Sequence, residues 1–527
     1  MTSTIERVER NSQKEIRPLR RAPRRDAWTV GAWIVAIIVA APLAFLGIEA
    51  FQAGWASLSG VLFRGITATL MANTIEMTVL VTAAAAFLGV GAAWILERTD
   101  VPARRALTVL LIVPAAIPDF IETFGWVNAL PWLRGLFGAV VVLSLAVYPF
   151  VMLPAAAALR RIDHRHEEVA RNLGASRISV VFRVTVPEIR GAIAGGCLLV
   201  ALQLLAEYGS FQMLGFRTFT TEIYSAFQVG FDTQSACALS IVLVIMSALL
   251  VGGEATVARR EGSLVTSEVT TPARMALGRW RWPALGILAL LVTAALCVPV
   301  GSILSLLIDP GPATLPGGSL FGAVGYSLIY ALAAAALATA GALTVALGSR
   351  RSRSWLTRTP VRVALIPLAV PGLVGALALS YVAARYAGGR WYQTSALLVV
   401  AYAVMFLPLA LIGIRASLVQ VPESLTEVAA SLGSSRISQL VRVILPLILP
   451  GLAAGFALVF LSTMTELAAT LVLVPTGVQT LATQFWTYQT NIAYGQAAPY
   501  ALAMIVLAGP PLLLLTKMGE SGGGSNR

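Results

Sequence analysis

Lysine, histidine, cysteine and charge of either sign are scarce in this sequence, and each scarcity removes a class of function. Lys14 and Lys517 are the two lysines, and neither follows a glycine-rich run. A loop of the kind Gly-x-x-x-x-Gly-Lys-Ser/Thr needs its lysine on the nucleotide phosphates, so the chain has no such nucleotide site. The two histidines, His164 and His166, share one arginine-rich stretch and read as part of a solvated face rather than as catalysts or metal ligands. Cys197, Cys237 and Cys297 lie in or beside apolar runs without metal-ligand spacing, and read as small buried residues rather than a disulfide framework. Charged residues make up 12% of the 527 positions against 57% hydrophobic ones, with a mean hydropathy of +0.80. That balance excludes a soluble globular domain and predicts an all-α protein that crosses a membrane many times.

The net charge of +13 would point to nucleic acid in a soluble protein. Here the arginines gather in particular loops, so the positive-inside rule accounts for them and no nucleic-acid partner is expected. Residues 1–27, with Arg17, Arg20, Arg21, Arg24 and Arg25, read as a basic cytoplasmic arm. No cleavable signal is read there, because the first apolar run is long and follows this basic segment. Apolar runs of about 20 residues, enough to span a bilayer, follow near 28–50, 72–96, 105–130, 137–159, 188–208 and 235–257. A second set lies near 283–307, 325–348, 361–383, 393–414, 447–466 and 497–516. About twelve membrane helices in two sets of six are predicted. With that count, all 38 Lys and Arg except Arg64, Arg134, Arg217, Arg385 and Arg390 fall on one side, which puts both termini in the cytoplasm. The domains expected are the arm 1–27, a first half 28–257, a polar linker 258–282, a second half 283–516 and a flexible tail 517–527. The linker ends in Arg279-Trp280-Arg281-Trp282, a composition suited to the membrane interface.

In place of a catalytic constellation the chain carries a repeat. Glu168-Val169-Ala170-Arg171-Asn172-Leu173-Gly174, running on to Val186-Pro187, returns as Glu427-Val428-Ala429-Ala430-Ser431-Leu432-Gly433, running on to Leu445-Pro446. Glu, Gly and Pro are all displaced by 259 residues (168 to 427, 174 to 433, 187 to 446). Within the block Leu173/Leu432, Ser176/Ser435, Arg177/Arg436, Ile178/Ile437, Ser179/Ser438 and Arg183/Arg442 are identical, which marks two homologous halves rather than a solenoid. Physically the stretch predicts a short helix, ended by glycine in a left-handed or tightly packed position, and a second helix that begins at the proline. Both copies fall on the arginine-rich side, so each short helix offers a face to the cytoplasm. A helix merely lying on headgroups would not need the same spacing twice.

Two further features obey the duplication. Pro114 and Pro118, and again Pro367 and Pro371, predict a kinked third helix in each half. Glu207 and Glu466 are related by the same interval of 259 residues and fall near the outer end of the fifth helix of each half. Ionisable residues in a span are costly, and two readings stand open: the pair lines a path for a cation, or each is held structurally by a neighbouring helix. Glu76, Asp119 and Glu122 are further acids of first-half spans, without acidic counterparts in the second half.

The repeated stretch resembles the EAA loop of bacterial ABC-type import permeases. It departs from the usual wording at Val169 and Val428, where alanine is common, and at Val186-Pro187 in place of Leu-Pro. The resemblance implies the type I ABC importer permease fold, with Glu168, Ala170, Gly174, Glu427, Ala429 and Gly433 against two ATPase subunits. It also implies ATP and Mg held by those subunits rather than by this chain, an extracytoplasmic substrate-binding protein, and residence in the bacterial inner membrane. Glu207-Tyr208-Gly209-Ser210-Phe211 with Thr218 to Tyr224, and Glu466 to Leu471 with Thr480-Leu481-Ala482-Thr483, look like the fused iron(III) import permeases, although Ala468 stands where proline is usual. On that resemblance ferric iron is the cargo, and Glu207, Tyr208 and Glu466 are hard oxygen donors on its path without a resident metal site. Permeases for thiamine, phosphonate or polyamine are related alternatives. A secondary transporter driven by an ion gradient, which can also have two sets of six helices, is the alternative of another class.

Overall fold

The computed structural model describes residues 27–162, 164–260, 275–308, 318–350, 354–386 and 390–521; the basic arm, the middle of the linker and the end of the tail fall outside them. Every element among the described residues is helical, apart from an isolated bridge between Thr99 and Met275. Eight helices are long and apolar enough to cross a membrane. In the first half they are Ala27–Ala56, Gly65–Arg98, Val181–Ala206 and Thr233–Gly253, and in the second Gly278–Ile308, Gly318–Arg350, Ser395–Val419 and Ile437–Met464. Three bent pairs bring the spans up to 11. The twelfth expected run, 497–516, falls within helix Tyr494–Ser521, which contains Pro499, Pro510 and Pro511.

The third run of each half is not the kinked rod expected. Arg104–Ala116 and Asp119–Ala129 meet at 98°, and Trp355–Ala369 and Gly372–Tyr386 at 112°. The cause is the second proline of each pair. A proline excludes its predecessor from the α region, and Ile117 (φ −83°, ψ 130°) and Val370 (φ −109°, ψ 114°) are accordingly extended. The first proline of each pair sits in the preceding 3-10 turn, Val113–Ala116 or Ile366–Ala369.

A second departure concerns Pro187 and Pro446. Neither begins a helix. Helical backbone already runs from Arg177 through a π turn, Val181–Thr185, into Val186–Ala206, and from Arg436 through Leu440–Ile444 into Leu445–Met464. Proline withholds one N–H from the ladder, and the preceding turn widens by one residue to accommodate it.

The halves of the sequence are not separate packing units. Helix Ala27–Leu62 lies against Gly318–Arg350, Trp355–Ala364 and Gly372–Tyr386 of the second half. The approach is close enough that a Cβ on Gly348 would stand 2.7 Å from the carbonyl oxygen of Trp28. Trp33 Nε1 also donates to the Leu356 carbonyl at 3.0 Å. Reciprocally, helix Val298–Ile308 lies on Asp119–Ala129 of the first half. There a Cβ on Gly125 would stand 2.6 Å from the Pro299 backbone, and Asn128 donates to Ser302 at 2.8 Å. Small residues at crossings let backbones approach where lipid supplies no hydrophobic drive between helices. A core cluster joins both halves around Phe120, Phe124, Tyr208, Phe485 and Trp486, and each of two others takes in the first helix of the opposite half, through Leu288, Leu291, Val292 and Ala295 in one and Ala32 and Val39 in the other. At the start of the second half, Trp280 and Trp282 are exposed, and Arg281 lies 5.2 Å from the Trp282 ring.

Candidate functional site

The two repeated loops fold alike down to single hydrogen bonds. Helix His164–Asn172 ends at Gly174, whose φ is +87°, and helix Glu423–Ser431 ends before Gly433, at +81°. The Gly174 N–H donates to the Arg171 carbonyl at 2.9 Å and the Ala175 N–H to the Ala170 carbonyl at 3.0 Å. In the copy, Gly433 donates to Ala430 at 3.0 Å and Ser434 to Ala429 at 3.1 Å. This is the Schellman cap, which needs a left-handed residue at the turn. Glycine takes that conformation without a Cβ penalty. Ala170 and Ala429 therefore anchor the caps through their carbonyls. Glu427 is exposed, and the Glu168 side chain lies outside the described ones.

Sequence reasoning passed over the apolar residues of these loops. Val169 and Leu173 are 56% and 82% exposed, and their counterparts Val428 and Leu432 are 56% and 81% exposed. Spaced four apart on a helix, each pair shares one face. The two loops thus expose matched apolar faces. The identity of Leu173 and Leu432 was the available signal. Glu167, beside the first motif, is buried, with Arg98 at 3.0 Å and the Thr185 hydroxyl donating to it at 2.9 Å.

The second site lies where the halves meet. Glu207 follows helix Val186–Ala206 and its Oε1 accepts from the Ser210 N–H at 2.7 Å. Glu466 follows Leu445–Met464 and its Oε1 accepts from the Ala469 N–H at 2.9 Å. Each carboxylate thus caps the short helix after it, Gly209–Leu214 or Ala468–Leu473. The backbone carbonyls of both glutamates accept from threonines as well, Thr220 and Thr470, at 2.6 Å each. Downstream, Thr218 and Thr480 open helices Phe219–Gln228 and Leu481–Thr490 with matching capping boxes closed by Thr221 and Thr483. Those boxes give the threonine-rich segments their structural reason.

The surroundings of the two glutamates and of Asp119 converge: a Cβ on Gly209, two places after Glu207, would stand 2.8 Å from the side chains of both Leu467, next to Glu466, and Phe120, next to Asp119. Asp119 directly follows Pro118 and accepts from Gln203 at 2.8 Å. After Pro371 stands Gly372, where a Cβ would lie 3.3 Å from Glu466 Oε1. The bend at each second proline thus presents one residue to the glutamate of its own half, an acid in the first and a glycine in the second. The centre is lopsided, with three carboxylates drawn from two halves. Among the described residues no three His, Cys, Asp or Glu are grouped so as to hold a metal ion. Glu122 is wholly buried, and neither carboxylate oxygen has a hydrogen-bond partner among the described residues. Glu76 is exposed on helix Gly65–Arg98 and is not drawn to the centre. Tyr208 is buried at the seam, 4.4 Å from the Tyr224 ring and 5.5 Å from Trp486 of the other half. It lines a cavity of about 320 Å³ with Gln212, Thr221, Tyr224 and the ion pair Arg217–Glu222, at 3.1 Å.

Residues 85–260 and 338–515 each match the family model described as the binding-protein-dependent transport system inner membrane component. The chain belongs to that family. This permease is 32% identical over 503 residues to the Fe(3+)-transport system permease protein FbpB 2 of Haemophilus influenzae, covering 94% of this chain and 99% of that protein. Over 424 residues it is 25% identical to the ferric transport system permease protein FbpB of Actinobacillus pleuropneumoniae, covering 76% of this chain and 61% of that one. Over 163 residues it is 29% identical to the spermidine/putrescine transport system permease protein PotB of Escherichia coli, covering 27% of this chain and 59% of that one. The permease is thus an all-α, multi-pass inner-membrane protein of ABC transport, with its transport domain present twice, and an ion-gradient carrier is set aside. The matched stretches leave out the first helix of each half, the two that pack across the seam.

Proposed function

We propose that this permease carries ferric ion inward, taking it from an extracytoplasmic binding protein and drawing work from two separate ATPase subunits. The observation that carries the cargo assignment is the similarity to a protein named for Fe(3+) transport along 99% of that protein's length. The polyamine relative matches only 27% of this chain. Asp119, Glu207 and Glu466 supply hard oxygen atoms near the seam without being grouped as a resident metal site, which suits a cation in passage.

In this reading both termini and both repeated loops face the cytoplasm, as the arginine distribution favours. Glu168, Ala170, Gly174 and their counterparts Glu427, Ala429, Gly433 form the two docking elements, one for each ATPase subunit, and Leu173 and Leu432 seat in apolar clefts of those subunits. ATP and Mg are bound there, not here. Closure of the subunits on ATP pushes the loops together, and the halves rock between outward and inward openings around the central glutamates. The carboxylates hold the cation only weakly between one opening and the next.

Proteoliposomes containing the permease, its ATPase subunits and the binding protein test this directly with radiolabelled iron. ATP-dependent uptake that excess thiamine, spermidine or phosphonate leaves unchanged is the expected result. Uptake of one of those three, with no response to ferric ion, would overturn the cargo assignment.

A further inference from the structure

Most of helix Asp119–Ala129 is buried, and yet it carries a polar face. Residues three and four apart share one side of a helix, so Asp119, Glu122 and Trp126 stand in a row along it. All three are buried, Glu122 completely, with Trp126 8% exposed. Another side bears Phe120 and Phe124, which pack on Phe485 at the seam between the halves. Asp119 has a partner in Gln203, at 2.8 Å. One turn further along, both carboxylate oxygens of Glu122 and the indole Nε1 of Trp126 have none among the described residues. A carboxylate buried without hydrogen bonds is among the costliest groups that a membrane protein can hold.

The fold does not demand this row. Counted from Pro118 and Pro371, which precede the two helices after the bend, Gly375, Ala376 and Leu379 stand at the places of Glu122, Thr123 and Trp126. The copy folds back at 112° against 98°, and it buries all three of those residues. The same kind of bend and the same depth are therefore reached without a polar side chain at any of these places. What the first half adds is an acid and, one turn on, a hydrogen-bond donor.

The two are complementary. A carboxylate takes a hard cation, and an indole N–H takes an oxygen atom. A trivalent cation acidifies its bound water and keeps hydroxide or other oxygen ligands around it, so it presents both partners at once. We infer that Glu122 and Trp126 form a further station for the cation, one helical turn beyond Asp119, and that the path leaves the centre on the side of the first half. The inference rests on the cation-transport reading above and deepens it by naming the side on which the cargo travels.

Terbium(III) is the probe, a hard trivalent ion whose emission is excited through a nearby indole. Titrating the detergent-solubilised permease with it is expected to give saturable emission, most of which is lost in Trp126→Phe, a variant that keeps an aromatic ring and removes the sensitiser. Trp486→Phe, beside the centre, is expected to leave that emission in place. Glu122→Gln keeps the shape without the charge, and is expected to weaken terbium binding about tenfold and to lower iron uptake by the full complex by a similar factor. Emission in Trp126→Phe equal to that of the parent puts the ion elsewhere and overturns the station, and it decides the matter where Glu122→Gln does not accumulate. Uptake by Glu122→Gln equal to that of the parent overturns it as well, since a neutral amide then serves as well as the acid. Iron uptake by the parent is measured alongside. Its absence overturns the cation reading and the station with it; full parent uptake with either of the two results above overturns the station alone.

Discussion

Around Gly174 and Gly433 no atom of the described residues lies within 4 Å of where a Cβ would stand, and it is their positive φ that resists a side chain. A left-handed residue with a Cβ costs roughly 1–2 kcal/mol, a penalty confined to the turn that ends each docking helix. Gly174→Val and Gly433→Val are therefore expected to insert normally and to retain less ATPase subunit in a pull-down. Pull-down and transport equal to the parent in both variants would remove the docking role. The central glutamates allow a finer separation. Glu207→Gln and Glu466→Gln keep an acceptor for the Ser210 and Ala469 N–H groups and lose only the charge. Alanine at either place loses the cap too, at a cost of about 1 kcal/mol. Uptake is expected to fall in the glutamine variants with expression unchanged, and to fall together with thermal stability in the alanine variants. Full uptake by the double glutamine variant would leave capping as the whole role of the pair. Glu207, Glu466 and both glycines were legible in the sequence because they recur at one interval. Glu167 and Asp119 were not, for a reason the copy makes plain: Thr426 and Gly372 stand opposite them, and a reading that searches for repetition passes over what only one half possesses.

At the scale of elements, composition located the apolar runs and proline placement located their faults, but the kind of fault depended on context. Pro118 and Pro371 follow a 3-10 turn with no α-helical carbonyl ladder to continue, so the chain folds back by 98° and 112°. Pro187 and Pro446 lie within continuous helix, and there a π turn absorbs the missing donor. Pro187→Ala returns that donor and is expected to tighten Val181–Thr185 to α geometry. Losing one residue from the turn rotates the docking loop by about 100° relative to helix Val186–Ala206. The cross-link from a cysteine at Leu173 to the ATPase subunit should then weaken although the protein melts no lower. An undiminished cross-link would show that the π turn does not aim the loop.

For the molecule as a whole, the crossing of the first helices makes the two halves interdependent. Gly348 meets the Trp28 carbonyl at contact distance, so Gly348→Leu drives helix Ala27–Leu62 away from the second half. Overpacking of this kind costs typically about 1–3 kcal/mol, expected as a lower melting temperature in detergent; an unchanged one would mean that the crossing contributes little. Cutting the chain between residues 260 and 275 gives the complementary test. The two fragments are expected to co-purify when expressed together and to be degraded when expressed alone, because each leaves a long helix without its partner. A stable, monodisperse single fragment would contradict the interdependence.

The sequence by itself determined the class of molecule, the duplication and the two repeated loops, since each is written in local composition or in a fixed interval between residues. It also carried the central glutamates, though not their company. Only the tertiary structure decided that the first helices exchange sides, that the third spans fold back, and that Glu167 finds Arg98 while Gly209, just after Glu207, packs on Phe120 and Leu467 beside Asp119 and Glu466. Those outcomes depend on close approaches between distant parts of the chain. In a membrane such approaches are set by small residues and buried polar pairs whose partners leave no periodic trace in the sequence.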